Sequence, residues 1–371
     1  MAGAEASLLD TIRSLAPVCC SVQVALPRGG ELGVALSVLR VRTLCFPFLR
    51  LRRSRNPSRW AWAAANMVAG ICWLARQIRH HRIDIVHANS TTAQLYAGPA
   101  ARLMRVPCVW HCRDLVDLGR TGAWLYGLAS RTIAISDAVS QHLRRRLREG
   151  DRLVTIWNGI DVAAFAGSSH REWAKTQLGV PTDRLVVAMV AQLVPWKEHA
   201  LFVETAARVL ESRKDVIFLI IGDDLFGEHA DYVAGLQALV KRRGVEEGVR
   251  FVGQRVEMAR LYAGIDVLLH PASREPFGRV VLEAMAASKP VVAVNRAGPA
   301  EIIRAGETGF LVEPENVADM ADATMRLLAT PELRQTVGVA ARADVEARFN
   351  LSRYGDRIAG VYEELLHGDR R

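Results

Sequence analysis

Val267–Asn295 reads V-L-L-H-P-A-S-R-E-P-F-G-R-V-V-L-E-A-M-A-A-S-K-P-V-V-A-V-N. The apolar run Val267–His270 stops at Pro271, as a short buried strand would. Arg279–Ala287 place apolar residues at helical spacing, and Pro290–Asn295 return to a continuous apolar run. Strand, helix and strand in so short a span make one parallel βαβ unit. Pro276 and Gly278 keep Glu275 off the helix, so it stands in the loop above the strand end, with Glu283 in the early helical turns. Backbone N–H groups of Phe277, Gly278 and Arg279 at the helix start form an anion site. An ordinary βα unit with an acid on its helix explains either Glu alone. It does not readily explain E-P-F-G followed by a second Glu eight residues after the first.

The same alternation runs outward in both directions. Strands are expected at Ser21–Pro27, Val41–Phe46, Asp84–Ala88, Val106–His111, Thr132–Ile135 and Leu153–Ile156. In the second half they are expected at Leu185–Val190, Val216–Gly222, Val249–Val252, Val267–His270, Pro290–Asn295 and Gly309–Val312. Helical patterns such as Trp60–Arg79, Thr91–Arg105, Ala200–Arg213, His229–Arg243 and Val317–Leu328 lie between them. The fold class is α/β, with two doubly wound, Rossmann-like domains facing across a cleft at the carboxyl ends of their strands. The turn Asn158–Asp161 and the linker Gly167–Ser169 place the join. The expected domains are 1–163 and 164–350, with a terminal helix over 351–371. The first domain opens on a helix, Ala6–Leu15, where such a domain normally opens on its central strand. A missing first strand, supplied by a segment upstream, is the expectation.

The chain has 371 residues, a formal net charge of +9, 50% hydrophobic and 23% charged residues, which excludes a disordered protein. Residues 1–170 hold 22 Arg, no Lys and 10 acids, so the excess is confined to the first half. That half is suited to anions. The excess is scattered without repeated aromatic platforms, which argues against nucleic acid. All six Cys lie before residue 113, none in C-x-x-C spacing, and a reducing cytoplasm is the default. Cys108, His111 and Cys112 lack a fourth metal ligand, and buried thiols are the simpler reading. Asp223-Asp224 reads as a polar turn, and Arg144–Arg146 as a solvated helix face. Trp60–Ala75 is too short for the ~20 residues of a membrane span. With Arg50, Arg52, Arg53, Arg55 and Arg59 before it, this stretch reads either as a helix lying on an anionic membrane or as a core helix with a basic lead-in.

A second constellation is Ala191-Gln192-Leu193-Val194-Pro195-Trp196-Lys197-Glu198-His199, between a strand and a helix. Lys197 can place a point charge on a diphosphate there, a position where a cation otherwise opposes the helix dipole. Glu275, Glu283, the Lys197 loop and Asn158-Gly159-Ile160-Asp161 together resemble the retaining glycosyltransferases of family 4, which have the GT-B fold, and the resemblance covers nearly the whole chain. It implies that Glu275 contacts the donor sugar and Glu283 the ribose hydroxyls. Lys197, with the loop at Phe277, Gly278 and Arg279, would hold the diphosphate. His111 resembles a first-domain His that meets the donor sugar, and Gly3 a remnant of an acceptor-side glycine loop. Gln192 stands where the family often has Arg, and Glu198 where it often has Gly. Glu275, Lys197 and His111 are thus the expected catalytic residues, and Gln192, Lys197, Glu275, Phe277, Gly278, Arg279 and Glu283 the donor-binding ones.

The function implied is a retaining transfer from a nucleoside diphosphate-sugar to a glycan or lipid-linked acceptor, in cell-envelope or exopolysaccharide synthesis, with neither metal nor cofactor. The protein would be cytoplasmic, peripheral at the inner face of the membrane. A nucleotide-sugar epimerase is disfavoured by the linked carboxylates, and a phosphorylase by the lack of a pyridoxal lysine motif. A degenerate, non-catalytic nucleotide-sugar-binding or membrane-associated partner is the alternative, suggested by Gln192 and the short start.

Overall fold

The computed structural model describes residues 3–15, 20–27, 30–47, 57–145, 152–165 and 170–367, with the backbone alone at 57–61. Cys19, the linker Gly167–Ser169, Arg146 and the side chains of the basic run Arg50–Arg59 lie outside this description. Two units divide the chain: Met1–Gly159 with Leu351–Arg371, and Ile160–Asn350. The first break falls slightly ahead of residue 163, because Ile160 already belongs to the second unit. Its N–H bonds to the Phe349 carbonyl at 2.8 Å, and it bridges to Asn350.

The first unit runs α1 (Gly3–Leu15), β1 (Gln23–Leu26), α2 (Glu31–Val38), β2 (Arg42–Cys45), α3 (Pro57–His80), β3 (Val86–Ala88), α4 (Thr91–Met104), β4 (Cys108–Cys112), α5 (Gly119–Leu128), β5 (Arg131–Ala134), α6 (Asp137–Arg144) and β6 (Leu153–Thr155). Its strands form two separate parallel sheets, β1-β2 and β3-β4-β5-β6. Among the described residues no strand joins them. Strand β4 starts two residues later than the pattern suggests. Val106 N–H is used by the Ala101 carbonyl at the end of α4, where Arg105 is left-handed, and Pro107 has no donor.

The second unit continues with α7 (Arg171–Gln177), β7 (Leu185–Val190), α8 (His199–Ser212), β8 (Val216–Ile221), α9 (Ala230–Arg243), β9 (Val249–Gly253), α10 (Met258–Leu261), β10 (Val267–His270), α11 (Arg279–Ala286), β11 (Val291–Val294), α12 (Ala297–Ile302), β12 (Phe310–Val312), α13 (Val317–Ala329) and α14 (Pro331–Arg348). Its sheet is parallel throughout, in the order β12-β11-β10-β7-β8-β9. The order reverses between β7 and β10, and in a doubly wound sheet a ligand crevice opens at the carboxyl ends of such a pair. The core is aliphatic: Val187, Met189, Phe218, Ile220, Leu269 and Val292 are almost wholly buried against α8 and α13.

The last helix, α15 (Leu351–His367), belongs to the first unit, where Tyr354, Ile358 and Val361 pack with Leu15, Val109 and Ile133. Thr11 and Tyr354 hydroxyls lie 2.7 Å apart across the α1–α15 contact. Helix α3 buries Ala75 and Ile78 against α4 and leaves Trp62 and Val68 exposed. No described helix is long and apolar enough to cross a membrane.

Candidate active site

The loops leaving β7 and β10 carry the groups singled out in the sequence. After β7 the chain makes a 3₁₀ turn, Pro195–Lys197, and Glu198 leads into α8. After β10 it passes Ser273 and Glu275 to reach Gly278, the N-cap of α11. The Lys197 ammonium donates directly to Glu275 Oε2, and both side chains are largely shielded from water. Its Nζ also lies 4.2 Å from the centre of the Trp196 ring.

Glu275 sits at 8% exposure. Burial alone would raise its pKa, but the charge of Lys197 and the neighbouring His270 ring outweigh that and hold the carboxyl well below the usual range. His270 Nε2 stands 3.3 Å from Glu275 Oε2, yet neither ring nitrogen makes a directed hydrogen bond among the described residues.

Two glycines set the loop. Gly278 has φ +101°, a left-handed value that side chains rarely adopt, and it turns the chain into α11. Gly298 lets α12 touch the loop. A Cβ there would stand 2.2 Å from the Phe277 carbonyl, and its own N–H bonds the Glu275 carbonyl at 3.1 Å. The Phe277 ring is buried edge-on against Phe349, with ring centres 6.2 Å apart. Phe277 therefore offers a ligand its backbone and not its ring. The first amides of a helix have no partner within it, so α11 begins where a carboxylate or phosphate would be attracted.

Glu283 sits one turn into α11. It pairs with Arg279 at 3.6 Å and accepts a 3.2 Å hydrogen bond from the Tyr262 hydroxyl. Burial and the charge of Glu283 push the Tyr262 pKa well up, so the phenol stays a donor. Gln192 follows β7, and its carbonyl accepts the Val194 N–H at 2.9 Å.

Residues 170–344 match the family model "Glycosyl transferases group 1", and residues 1–164 match "Glycosyltransferase Family 4". The chain belongs to the family 4, group 1 glycosyltransferases. This family member is 31% identical over 331 residues to alpha-D-kanosaminyltransferase of Streptomyces kanamyceticus, covering 82% of this chain and 83% of that one. It is 30% identical to D-inositol 3-phosphate glycosyltransferase of Streptomyces scabiei over 81% of its own length, and spans 66% of that relative. Its fold matches Anabaena HepE, solved in complex with UDP and glucose, at a TM-score of 0.85 and 26% identity, covering 98% of this chain and 96% of that one.

Two of the expected site residues, Gly3 and His111, lie in the first unit of this glycosyltransferase-family chain. Gly3 opens α1 and is exposed. His111 was expected to meet a donor sugar, but its ring has no exposed surface. Every residue of β4 is buried, and the His111 ring packs beside the His87 ring, with centres 5.2 Å apart. Arg113 Nη2 lies 3.2 Å from His111 Nδ1, and Arg can only donate, so Nδ1 is the accepting nitrogen. His87 Nε2 then donates to it at 3.1 Å, and His87 Nδ1 accepts from the Tyr362 hydroxyl at 2.6 Å. Burial, then the Arg113 charge, lowers both imidazole pKa values, that of His87 to about 3. Burial pushes the Cys108 and Cys112 thiols up to about 12, and no described group of three His, Cys, Asp or Glu side chains could hold a metal.

Sequence reasoning did not find His270, Tyr262, Arg113 or His87. His270 ends a strand and Tyr262 lies in a short 3₁₀ turn, and neither forms a spacing motif with Glu275 or Glu283. The proximity of Arg113 to the catalytic-looking His111 was visible in the sequence, but its role as the ring's donor was not.

Proposed function

We propose that the protein transfers a sugar from a nucleoside diphosphate-sugar to a glycan or lipid-linked acceptor, with retention at the anomeric carbon. The observation that carries this reading is the Lys197–Glu275 pair, held between the β7 and β10 loops beside the start of α11. The diphosphate takes Lys197 as its counter-cation and the amides of Phe277, Gly278 and Arg279 as donors. Glu275, released from Lys197, accepts hydrogen bonds from sugar hydroxyls, and Glu283 accepts them from the ribose. The positive charge that faces the leaving diphosphate comes from Lys197 and the backbone amides, so the reading calls for no metal. Bond-making and bond-breaking occur on one face of the sugar, and no protein nucleophile is assigned. HepE with UDP and glucose supports a nucleotide-sugar donor, and the inositol phosphate relatives support an anionic acceptor. The Arg-rich first 170 residues suit such an acceptor, or an anionic membrane at the cytoplasmic face, in envelope or exopolysaccharide synthesis.

The test is release of nucleoside diphosphate from a panel of nucleotide-sugars, with Glu275→Ala as control and the product anomer read by NMR. Wild-type release that Glu275→Ala abolishes supports transfer, and a product of inverted configuration overturns retention. A second reading is favoured by Gln192 at a position where the family often carries Arg. In that reading the protein binds the nucleotide-sugar without turning it over, and wild type then binds donor and releases nothing.

A further inference from the structure

Glu198, next to Lys197, has φ +58° and ψ +41°, a left-handed conformation that favours glycine. A side chain kept in such a backbone state is normally held there by its surroundings. Here the carboxylate supplies that hold: Glu198 Oε1 accepts the Ser273 N–H at 3.1 Å and the Ser273 hydroxyl as well. Ser273 lies between His270 and Glu275 on the β10 loop, two residues before Glu275. Strands β7 and β10 are neighbours, so their two exit loops are joined by two adjacent rungs, Glu198–Ser273 and Lys197–Glu275. The second rung must open when a diphosphate takes Lys197; the first need not.

Resting on the nucleoside diphosphate reading above, we propose that Glu198 is a positioning residue. Its tether to Ser273 keeps the Lys197 turn facing the start of α11 while Lys197 changes partner from Glu275 to the diphosphate. The arrangement also disposes of a charge problem. A free carboxylate beside Lys197 would repel a diphosphate, but this one is turned onto two donors of Ser273 and its charge is dispersed there.

The test compares Glu198→Gly, Glu198→Gln and Ser273→Ala with wild type, titrating UDP, GDP and ADP by calorimetry and following amide exchange across Pro271–Gly278. Glycine relieves the left-handed backbone, so Glu198→Gly is expected to melt no lower than wild type. It should nonetheless bind the preferred diphosphate roughly 10-fold more weakly, because the Lys197 turn is no longer held ready and must be ordered on binding. Glu198→Gln keeps an acceptor oxygen for both Ser273 donors and should stay within about threefold of wild type. Ser273→Ala should fall between them, and loop amides should exchange faster in Glu198→Gly. Unchanged or tighter binding by Glu198→Gly overturns the proposal, as does unchanged loop exchange. If wild type binds none of the three diphosphates, the functional reading fails, and loop exchange alone then decides whether the tether exists.

Discussion

Lys197 and Glu275, 78 residues apart in the chain, meet as a shielded ion pair with Lys197 donating to Oε2. Two like-buried charges depend on each other, because each is stranded in a poorly hydrated site if its partner is removed. Lys197→Ala is therefore expected to destabilise the fold by about 3–5 kcal/mol. The neutral pair Lys197→Met with Glu275→Gln should recover most of that loss, since no unpaired charge remains. Both variants should lose diphosphate binding. Urea unfolding followed by circular dichroism measures the difference, and a double variant no more stable than the single one refutes the account.

Acid should weaken the fold through buried imidazoles before it reaches Glu275. Burial, then the charges of Lys197 and His270, lowers the His199 pKa to about 3, and burial with Arg113 lowers that of His87 to about 3. The unfolded chain binds these protons near pH 6.5 and the folded one does not, so stability is full above 6.5 and falls as pH drops towards 3. Each such group adds a slope of at most about 1.4 kcal/mol per pH unit. Glu275 acts in the same direction, because here too the unfolded chain binds the proton before the folded one does. Its depressed pKa stabilises above the ordinary Glu value and is lost only below it. Melting temperature between pH 7.5 and 4.5 should fall less steeply in His199→Asn than in wild type; parallel curves for the two would exclude His199 as a source.

Periodicity made the sheet strands legible, because buried parallel strands are continuous apolar runs and their flanking turns carry Pro and Gly. Leu185–Val190 and Val267–His270 are read without error for this reason. Among the described residues the first unit has two separate sheets, and which strands pair is a long-range property that no local pattern carries. The placing of Glu275 in a loop, of Glu283 in the next helix and of Lys197 at a helix start was legible, because loop-breaking residues and charge at helix starts leave local marks. The direct pairing of Lys197 with Glu275, and the ring of His270 beside them, depend on β7 lying next to β10. That adjacency is a long-range property with no local pattern. The role given to His111 came from resemblance to a family motif, and the packing of its ring against His87 and Arg113 is a long-range contact with no local mark.

Gly298 is the point where α12 touches the Phe277 backbone, so Gly298→Ala must move the donor loop. The added Cβ would meet the Phe277 carbonyl at 2.2 Å and its Cα at 2.3 Å, neither of which is a flexible side-chain end. Overpacking of this kind costs about 1–3 kcal/mol. The expected outcome is a lower melting temperature together with weaker diphosphate binding. Gly235→Ala is the control, since a Cβ there meets nothing within 4 Å and should be harmless or slightly stabilising. Equal behaviour of the two variants in both assays would show that the close approach is unimportant.

Gln192→Arg is the variant expected to gain function. Gln192 directly follows Ala191 on the loop that carries Lys197, and the family pattern often places Arg at this position. A guanidinium there gives the diphosphate a second cation, with a planar fork that Lys197 lacks. A charged hydrogen bond of this kind contributes about 1.5–3 kcal/mol, so UDP affinity should rise by roughly tenfold or more. Turnover separates two roles for the new charge. If Arg contacts the diphosphate equally before and during bond cleavage, affinity rises and kcat stays level. If it contacts the leaving group most strongly as negative charge develops, kcat rises as well. Calorimetry with UDP and initial rates of diphosphate release together distinguish these outcomes. A Gln192→Arg protein with unchanged UDP affinity would remove position 192 from the diphosphate site and leave Lys197 and the α11 amides as its whole positive face.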